Sequence, residues 1–384
     1  RVALDKSGDA LLGVKQGRDP FEVVLPVFTR QDMGQSTPMA TAQNTLTLVF
    51  AVSVEISSDV LSILTISGLD RADVIDEFAT TNGTAFPAGE IFSGNSTSIG
   101  ILVRVSSKQA PGLFCDLEGR PDYGSWEANG GSPTLKMRLC SNVSTHPPSV
   151  FVRETVLTIA FDVQNPAAGQ LSPDVQVAGS GALFGIPAVS VVASGGVLLG
   201  VTLGTDPLKV VVPAFTTKEI AQTSPFAGTV NSLRITLVTN VDLVSGTVIT
   251  ISGLTPTTIL PVGAVQISGG NTTSGRVFCV NGNTGYVRWG TSLFLTICEG
   301  QKLAVAQTYE LQFDVTNPAE EQESPEVTIG VSRVSTRDTN VVASFMLAPS
   351  GEVNELCTCE VSLTAILFGV PGGADPLKVV IPVL

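Results

Sequence analysis

A stretch of ten residues occurs three times and organises the whole sequence. It reads Asp19-Pro-Phe-Glu-Val-Val-Leu-Pro-Val-Phe28 (junction one), Asp206-Pro-Leu-Lys-Val-Val-Val-Pro-Ala-Phe215 (junction two) and Asp375-Pro-Leu-Lys-Val-Val-Ile-Pro-Val-Leu384 (junction three). A Leu-Gly-Val or Phe-Gly-Val tripeptide precedes each junction at the same distance, beginning at Leu12, Leu199 and Phe368. Such self-similarity is the mark of repeated modules. Three junctions around two intervening bodies predict two modules and one junction to spare.

The two bodies between the junctions are similar to each other. Ile63-Leu-Thr-Ile-Ser-Gly-Leu69 in the first body matches Val248-Ile-Thr-Ile-Ser-Gly-Leu254 in the second, and both bodies contain a Phe-Asp-Val-x-Asn-Pro block. Short runs of Val, Ile, Leu and Thr alternate with polar residues and end at Gly, Pro, Ser or Asn, which is typical of strands in an all-β protein. The pattern predicts two tandem immunoglobulin-like β-sandwich modules with a spare junction strand.

The predicted domain boundaries follow the junctions. We expect an N-terminal arm at 1–18, a first β-sandwich module at 19–204, and a second at 205–384 that includes the C-terminal junction strand. At 384 residues, the chain is long enough for two domains that each bury a core.

Composition excludes several kinds of partner. The net charge of −13 argues against binding to nucleic acid, whose phosphates need Lys and Arg. No apolar run reaches the roughly 18 residues that a membrane-spanning helix needs, so no membrane span is predicted. The sequence begins at Arg1 without Met or a signal peptide. A processed secreted chain and a fragment of a longer protein both fit this beginning.

The cysteines predict disulfide bonds and an oxidising compartment. Cys115 and Cys140 bracket Trp126 in the first module, and Cys279 and Cys298 bracket Trp289 in the second. Matched placement in two related modules favours the pairs Cys115–Cys140 and Cys279–Cys298. Buried free thiols are the alternative, and zinc is less favoured because no C-x-x-C motif is present.

Cys357 and Cys359 have no counterpart in the first module. A disulfide between them would close a tight, strained ring, so a disulfide to another chain is a second possibility.

Residues that could carry catalysis are scarce. The one histidine, His146, lies beside Pro147 and Pro148 in a predicted loop, and no nucleophile elbow, P-loop or dinucleotide-binding motif occurs. We therefore predict that the protein is not an enzyme and holds no cofactor. Two acidic clusters could bind Ca²⁺ weakly, although solvated loops are the simpler interpretation. The clusters are Asp70, Asp73, Asp76 and Glu77, and Glu320, Glu321, Glu323 and Glu326.

Covalent glycans are predicted at four N-x-[ST] sequons. The acceptors are Asn82, Asn95, Asn142 and Asn271. All four lie in stretches rich in Gly, Ser and Thr, where loops with room for a glycan are expected. Asn165 and Asn317 are excluded as acceptors because proline follows each of them.

Several repeated blocks resemble those of a known class of protein. The blocks Gln222-Thr-Ser-Pro-Phe-Ala-Gly228, Val248-Ile-Thr-Ile-Ser-Gly-Leu254 and Phe313-Asp-Val-Thr-Asn-Pro318 are similar to the tandem repeats of large extracellular surface proteins of unicellular algae. The resemblance covers both modules and consists of strand and turn motifs. It implies an architecture and a location at the cell surface, and proteins of this sort resemble the subunits of glycosylated surface fibrils.

These observations favour a structural subunit of an extracellular glycosylated filament, assembled head to tail by β-strand exchange as a homopolymer. A cell-surface adhesin or a pair of carbohydrate-binding modules is the alternative, and an ancillary part of a cell-wall enzyme comes third. A carbohydrate binder is expected to expose aromatic platforms, yet the chain has only two Trp and three Tyr.

The presence of a third junction predicts which residues mediate assembly. Junction three completes the second module if the C-terminus ends a strand there, which leaves junction one as the spare arm. Its apolar residues are then expected to be exposed on a lone monomer and to add to a sheet edge of a neighbour. These residues are Val23, Val24, Leu25, Val27 and Phe28; in the mirror version, in which junction three is donated, they are Val379, Val380 and Ile381.

Overall fold

The structure, a computed structural model, describes most of the chain in defined segments. These segments are residues 6–57, 63–74, 101–109, 111–128, 132–140, 151–254, 263–268, 274–332, 341–346 and 366–382. Within them the secondary structure is almost entirely β, with a single helical turn, α1, at Ser274–Val277. In the described segments no helix has the length and apolar character that crossing a membrane requires.

The chain divides into two compact units. Unit one comprises Arg1–Leu198 and Thr202–Val212, and unit two comprises Leu199–Val201 and Pro213–Leu384. The division differs from the predicted boundary between residues 204 and 205. The first seven residues of junction two belong to unit one, because they form hydrogen bonds with its strands and loops.

The described residues of unit one form twelve strands. They are β1 (Phe28–Gln35), β2 (Gln43–Val52), β3 (Ile63–Ser67), β4 (Asp73–Val74), β5 (Ile101–Ser107), β6 (Phe114–Cys115), β7 (Tyr123–Glu127), β8 (Thr134–Leu139), β9 (Leu157–Gln164), β10 (Gln176–Ser180), β11 (Gly185–Ser190) and β12 (Val192–Ala193). Hydrogen bonds connect ten of them in the order β11-β10-β3-β8-β7-β5-β9-β2-β1-β12, while β4 pairs with β9 and β6 with β8.

Strand β5 joins the strands of unit one into a single continuous sheet. Its first half pairs with β7 and its second half with β9, so it passes from one face of the unit to the other. All of these pairings are antiparallel, except the short contact of β1 with β12. The result is a sheet that curls around its core and is closer to a barrel than to two separate immunoglobulin sheets.

Unit two repeats the same plan, and the part of it that the structure describes has thirteen strands. They are β13 (Phe215–Gln222), β14 (Val230–Thr239), β15 (Leu243–Val244), β16 (Val248–Ser252), β17 (Gly263–Gln266), β18 (Cys279–Val280), β19 (Asn283–Thr284), β20 (Tyr286–Trp289), β21 (Leu293–Thr296), β22 (Lys302–Leu303), β23 (Tyr309–Thr316), β24 (Thr328–Ser332) and β25 (Val341–Phe345). The sheet β13-β14-β23 corresponds to β1-β2-β9, and the sheet β17-β20-β21-β16-β24-β25 corresponds to the path from β5 to β11.

Alternation along the strands builds each core. In β2, Leu46, Leu48 and Phe50 are buried while the residues between them are partly exposed, and β9 shows the same period of two. Trp126 is almost fully buried in unit one, and Trp289 packs against Phe313 in unit two with ring centroids 6.2 Å apart. The prediction of an all-β chain is therefore confirmed, whereas an immunoglobulin-like topology stays a prediction.

Candidate functional site

Each unit contains an acceptor site that holds a junction. In unit one the acceptor site consists of Gln35, Pro38, Ala40, Gln170 and Ser172, which all bind junction two. In unit two it consists of Gln222, Pro225, Ala227, Gln322 and Ser324, which all bind junction three. The two sets occupy equivalent positions, directly after β1 and β13 and between β9 and β10 or β23 and β24.

In unit one, backbone hydrogen bonds hold junction two on both sides. Val211 N–H donates to Pro38 O at 2.7 Å, and Val211 O accepts from Ala40 N–H at 2.9 Å. On the other side, Val210 and Gln170 exchange both of their backbone hydrogen bonds, each at 2.9 Å. Junction two therefore lies between two segments of unit one and closes the gap between them.

Junction three is bound in the same way in unit two. Val380 N–H donates to Pro225 O at 2.7 Å, and its carbonyl accepts from Ala227 N–H at 3.0 Å. Val379 exchanges backbone bonds of 2.9 and 3.0 Å with Gln322. Equivalent groups thus make equivalent bonds in the two units, with lengths that differ by about 0.1 Å.

In each unit a glutamine side chain binds the turn at the start of the docked junction, which is junction two in unit one and junction three in unit two. Gln35 Nε2 donates to Gly204 O and Lys209 O, both at 2.8 Å. Gln222 Nε2 repeats these bonds to Gly373 O at 2.8 Å and Lys378 O at 2.9 Å.

A second glutamine and a serine bind the carbonyls of the Asp-Pro-Leu turn. Gln170 Nε2 donates to Leu208 O at 3.0 Å, and Ser172 Oγ to Pro207 O at 2.7 Å. In unit two, Gln322 Nε2 and Ser324 Oγ donate to Leu377 O and Pro376 O, both at 2.7 Å. Recognition is therefore directed at the main chain of the junction, and it fixes the register of the segment.

Buried asparagines orient the first of these glutamines. Asn44 Nδ2 donates to Gln35 Oε1 at 2.8 Å and to Asn165 Oδ1 at 2.9 Å, and both asparagines are fully or almost fully buried. Asn231 makes the same two bonds to Gln222 and Asn317, each at 2.9 Å. From sequence alone, the Asn-Pro pairs had no role beyond their exclusion as glycosylation sites. Their repetition at residues 165 and 317, together with the repeated Gln-x-x-Pro, was the available sign of this network.

Two alternate side chains of each docked junction are buried. Leu208 and Val210 are 0% and 2% exposed in unit one, and Leu377 and Val379 are 0% and 1% exposed in unit two. Val379 is thus inaccessible, and Ile381, the third residue of this alternation, is half exposed.

Junction one has the same sequence pattern, but it occupies neither of the acceptor sites that the described residues form. Phe21, Val23 and Leu25 are 99%, 88% and 72% exposed, and Val24 and Val27 are also exposed. The exposure of these five side chains in a single chain leaves the predicted role of the arm a prediction. Phe28 departs from the expectation, because it begins β1 and packs edge-on against Phe50 with ring centroids 6.2 Å apart. The exposed part of junction one therefore ends at Val27.

The first four residues of the exposed junction already form the same turn as those of the docked junctions. Phe21, Leu208 and Leu377 have φ of 66°, 56° and 59°. In each copy the residue that follows donates its N–H to the carbonyl of the Asp at 3.1–3.2 Å. Proline at the second position and a positive φ at the third define a type II turn, in which a non-glycine third residue is strained. The side chain of Asp19 also accepts from Gly8 N–H at 2.7 Å, as Asp206 does from Gly195 N–H.

The cysteine pairs occupy matching positions but differ in state. Cys115 and Cys140 form a disulfide with a Cα–Cα distance of 5.3 Å. Cys279 and Cys298 are two thiols, contrary to the predicted bond, and burial raises the pKa of the Cys298 thiol to about 12.

The other predicted sites lie outside the described residues, namely Asn82, Asn95, Asn142, Asn271, His146, Cys357 and Cys359. In the described segments no group of three His, Cys, Asp or Glu side chains could hold a metal ion.

Comparisons with known proteins give structural neighbours only. No family model and no curated protein matches the chain. The structure designated BspA_C_mut is similar at 8% sequence identity and a TM-score of 0.39, over 84% of this chain and 98% of that chain. The C-terminal domain of the Streptococcus pyogenes antigen I/II-family protein AspA has 8% identity and a TM-score of 0.36, over 83% and 99% of the two chains. The collagen adhesin (CNA) from S. aureus has 10% identity and a TM-score of 0.22, over 83% and 91%. At these TM-scores the likeness does not extend to function.

Proposed function

We propose that this chain is a non-enzymatic structural protein of the cell surface that associates with further copies of itself through junction one. One observation carries the proposal. The same segment occurs three times with the same turn; two copies are buried in acceptor sites, and the third exposes the side chains that the others bury. Junction one has the sequence and the turn of a closing segment, and a second copy of the chain offers acceptor sites that fit it.

The association is an exchange. Both acceptor sites of the chain already hold a junction, so an incoming junction one takes the place of the resident segment. Docking would bury Phe21 and Val23, at about 1.5–3 kcal/mol each, and would expose the equivalent side chains of the resident junction, so that the two burial contributions largely cancel and leave the cost of ordering junction one. The type II turn is already formed in junction one, which reduces that cost. Because donor and acceptor are different surfaces, repeated exchange that does not close into a ring produces a filament.

The remaining sequence expectations belong to this proposal. An extracellular filament is the setting in which glycans at Asn82, Asn95, Asn142 and Asn271 keep neighbouring strands of the polymer apart. The resemblance to algal surface repeats and the immunoglobulin-like plan of the modules fit such a protein.

The test replaces two of the exposed apolar residues of junction one, Phe21 and Val23, in the full chain. We expect the wild-type protein to associate in a concentration-dependent manner in sedimentation velocity experiments. The double variant Phe21→Asp, Val23→Asp is expected to remain monomeric, because two charges cannot enter an apolar acceptor site. Both residues are exposed in the monomer, so the variant retains the fold.

Leu183→Asp is the matched control. Leu183 is 66% exposed in unit one and belongs to no junction, so its variant is expected to associate like the wild type. Association of the double variant at wild-type concentrations would refute the proposal, and so would a wild-type protein that stays monomeric up to millimolar concentration.

A cell-surface adhesin is the second candidate. It is the class named for the S. aureus neighbour, although the low TM-score gives that likeness no weight of its own. Negative-stain microscopy separates the two candidates. Filaments that disappear in the Phe21→Asp, Val23→Asp variant support the first candidate, whereas monomers that bind immobilised glycans or collagen support the second.

A further inference from the structure

The three junctions differ in charge at their fourth residue. This residue is Glu22 in junction one, Lys209 in junction two and Lys378 in junction three. In unit two, Lys378 Nζ lies 2.8 Å from Glu323 Oε2. Glu323 stands between Gln322 and Ser324, the two acceptor residues that bind the carbonyls of junction three. The charge at the fourth position therefore lies within ion-pair distance of the acceptor site.

The acceptor site of unit one carries a different residue at this position. Leu171 stands between Gln170 and Ser172, where unit two has Glu323, and it is 78% exposed. The acceptor site of unit one is thus neutral at the position where that of unit two is acidic.

The charge of Glu323 also affects Asp375, the first residue of the docked junction three. Burial raises the pKa of Asp375, Lys378 lowers it, and Glu323 raises it. Junction three thus carries a positive Lys378 that offsets two carboxylates. A junction with glutamate at its fourth position would add a third carboxylate to this cluster.

We propose that the residue at position 171 or 323 selects which junction an acceptor site takes, and that Glu22 directs junction one to the unit one acceptor site of a second copy. This inference rests on the proposed function, because it names the acceptor site for junction one.

The physical reason is that the other interactions cancel in an exchange. The backbone bonds and the bonds donated by Gln35 and Gln222 have nearly the same lengths to junctions two and three, and they are made to main-chain groups that junction one also possesses. Replacing one junction by another leaves these bonds unchanged in number. The difference then lies in side chains, and Glu22 beside Glu323 replaces an attraction by a repulsion. Beside Leu171 no such repulsion arises.

The experiment measures which unit a labelled junction one peptide enters in the full chain. The peptide comprises residues 6–28 with a photo-cross-linking group in place of Leu25, and it is made with Glu22 and with Glu22→Lys. The two proteins are the wild type and the double variant Glu323→Lys, Lys378→Glu, which keeps the ion pair of unit two with reversed signs. Mass spectrometry assigns each cross-link to unit one or unit two.

We expect the Glu22 peptide to cross-link to unit one of the wild-type protein, and to gain cross-links in unit two of the double variant. The Glu22→Lys peptide is expected to prefer unit two of the wild type. Each charge reversal should change the ratio of unit two to unit one cross-links about fivefold to tenfold at low salt, and less at high salt. If neither charge reversal changes the ratio of unit two to unit one cross-links, this inference is overturned while the proposed function stands. Absence of any cross-link with either peptide would overturn the proposed function as well.

Discussion

At the scale of single residues, the side chain of Gln222 binds three main-chain groups of the segment that closes unit two. Besides donating to Gly373 O and Lys378 O, its Oε1 accepts from Leu377 N–H at 2.8 Å and from Asn231 Nδ2 at 2.9 Å. We expect Gln222→Leu to lower the free energy of unfolding of unit two by about 3 kcal/mol, because several buried polar groups lose their partners at once.

Hydrogen exchange of unit two amides, followed through denaturant, measures the loss. Gln301→Leu is the control, since Gln301 lies on the surface of the same unit, and it is expected to change stability by less than about 0.5 kcal/mol. Equal effects of the two substitutions would show that the Gln222 network contributes nothing specific.

The backbone beside Cys279 and Cys298 is paired like the backbone beside the Cys115–Cys140 disulfide. Phe114 and Leu139, which precede the bonded cysteines, are paired across the strands, and Phe278 and Ile297 form the same pairing before the two thiols. Cys140 N–H donates to Leu113 O, and Cys298 N–H donates to Val277 O. Oxidation by a disulfide such as oxidised glutathione should therefore join Cys279 to Cys298, with release of two equivalents of reduced glutathione.

The bond closes a loop of about 20 residues and is expected to add about 3 kcal/mol to the stability of unit two. Non-reducing peptide mapping and thermal unfolding of both states measure this. In the reduced protein, iodoacetamide at pH 8 should modify Cys279 before Cys298, because burial raises the pKa of Cys298 to about 12 and keeps it a thiol. Faster modification of Cys298 would contradict the assignment.

At the scale of elements, the three junctions differ in the burial of their third residue. Leu208 and Leu377 are fully buried, whereas Phe21 at the same position is fully exposed. We expect Leu208→Ala and Leu377→Ala to destabilise units one and two respectively by about 2–5 kcal/mol, through lost burial and a residual cavity. Phe21→Ala should leave the stability of the monomer unchanged.

Denaturant unfolding at a concentration where the wild type is monomeric checks all three substitutions. If Phe21→Ala destabilised the monomer as much as Leu208→Ala, then Phe21 would have a docking place within its own chain, and junction one would not be a spare segment.

At the scale of the whole molecule, each unit depends on a segment that follows its last strands in the sequence. Removal of residues 366–384 takes junction three away from unit two, whereas unit one keeps junction two. We expect hydrogen exchange protection to fall in β13, β14 and β24 and to be maintained in β2 and β9.

A synthetic peptide of residues 366–384 is expected to restore the protection when added in trans, because the acceptor site binds main-chain groups that the peptide supplies. A peptide in which Leu377 and Val379 are both replaced by Asp is the control and should not restore it. Loss of protection in unit one as well would show that the two units do not close separately.

The sequence by itself determined the all-β class, the two similar bodies and the threefold repetition of the junction, since alternation and repetition are local properties that survive without knowledge of contacts. It also indicated which cysteines match. Phe28 was wrongly counted in the exposed arm, because nothing in the sequence of junction one marks where its contact with β1 and Phe50 begins.

Only the tertiary structure decided which module each junction closes. Val24, Val211 and Val380 lie in nearly identical sequences, yet only the last two bond to Pro38 and Pro225. Local sequence sets the turn in all three copies. Docking depends on whether an acceptor site lies within reach of the chain, and such sites exist only where segments distant in sequence, such as those at Gln35 and Gln170, come together. Burial and hydrogen bonding across those distances therefore separate the two closing junctions from the exposed one.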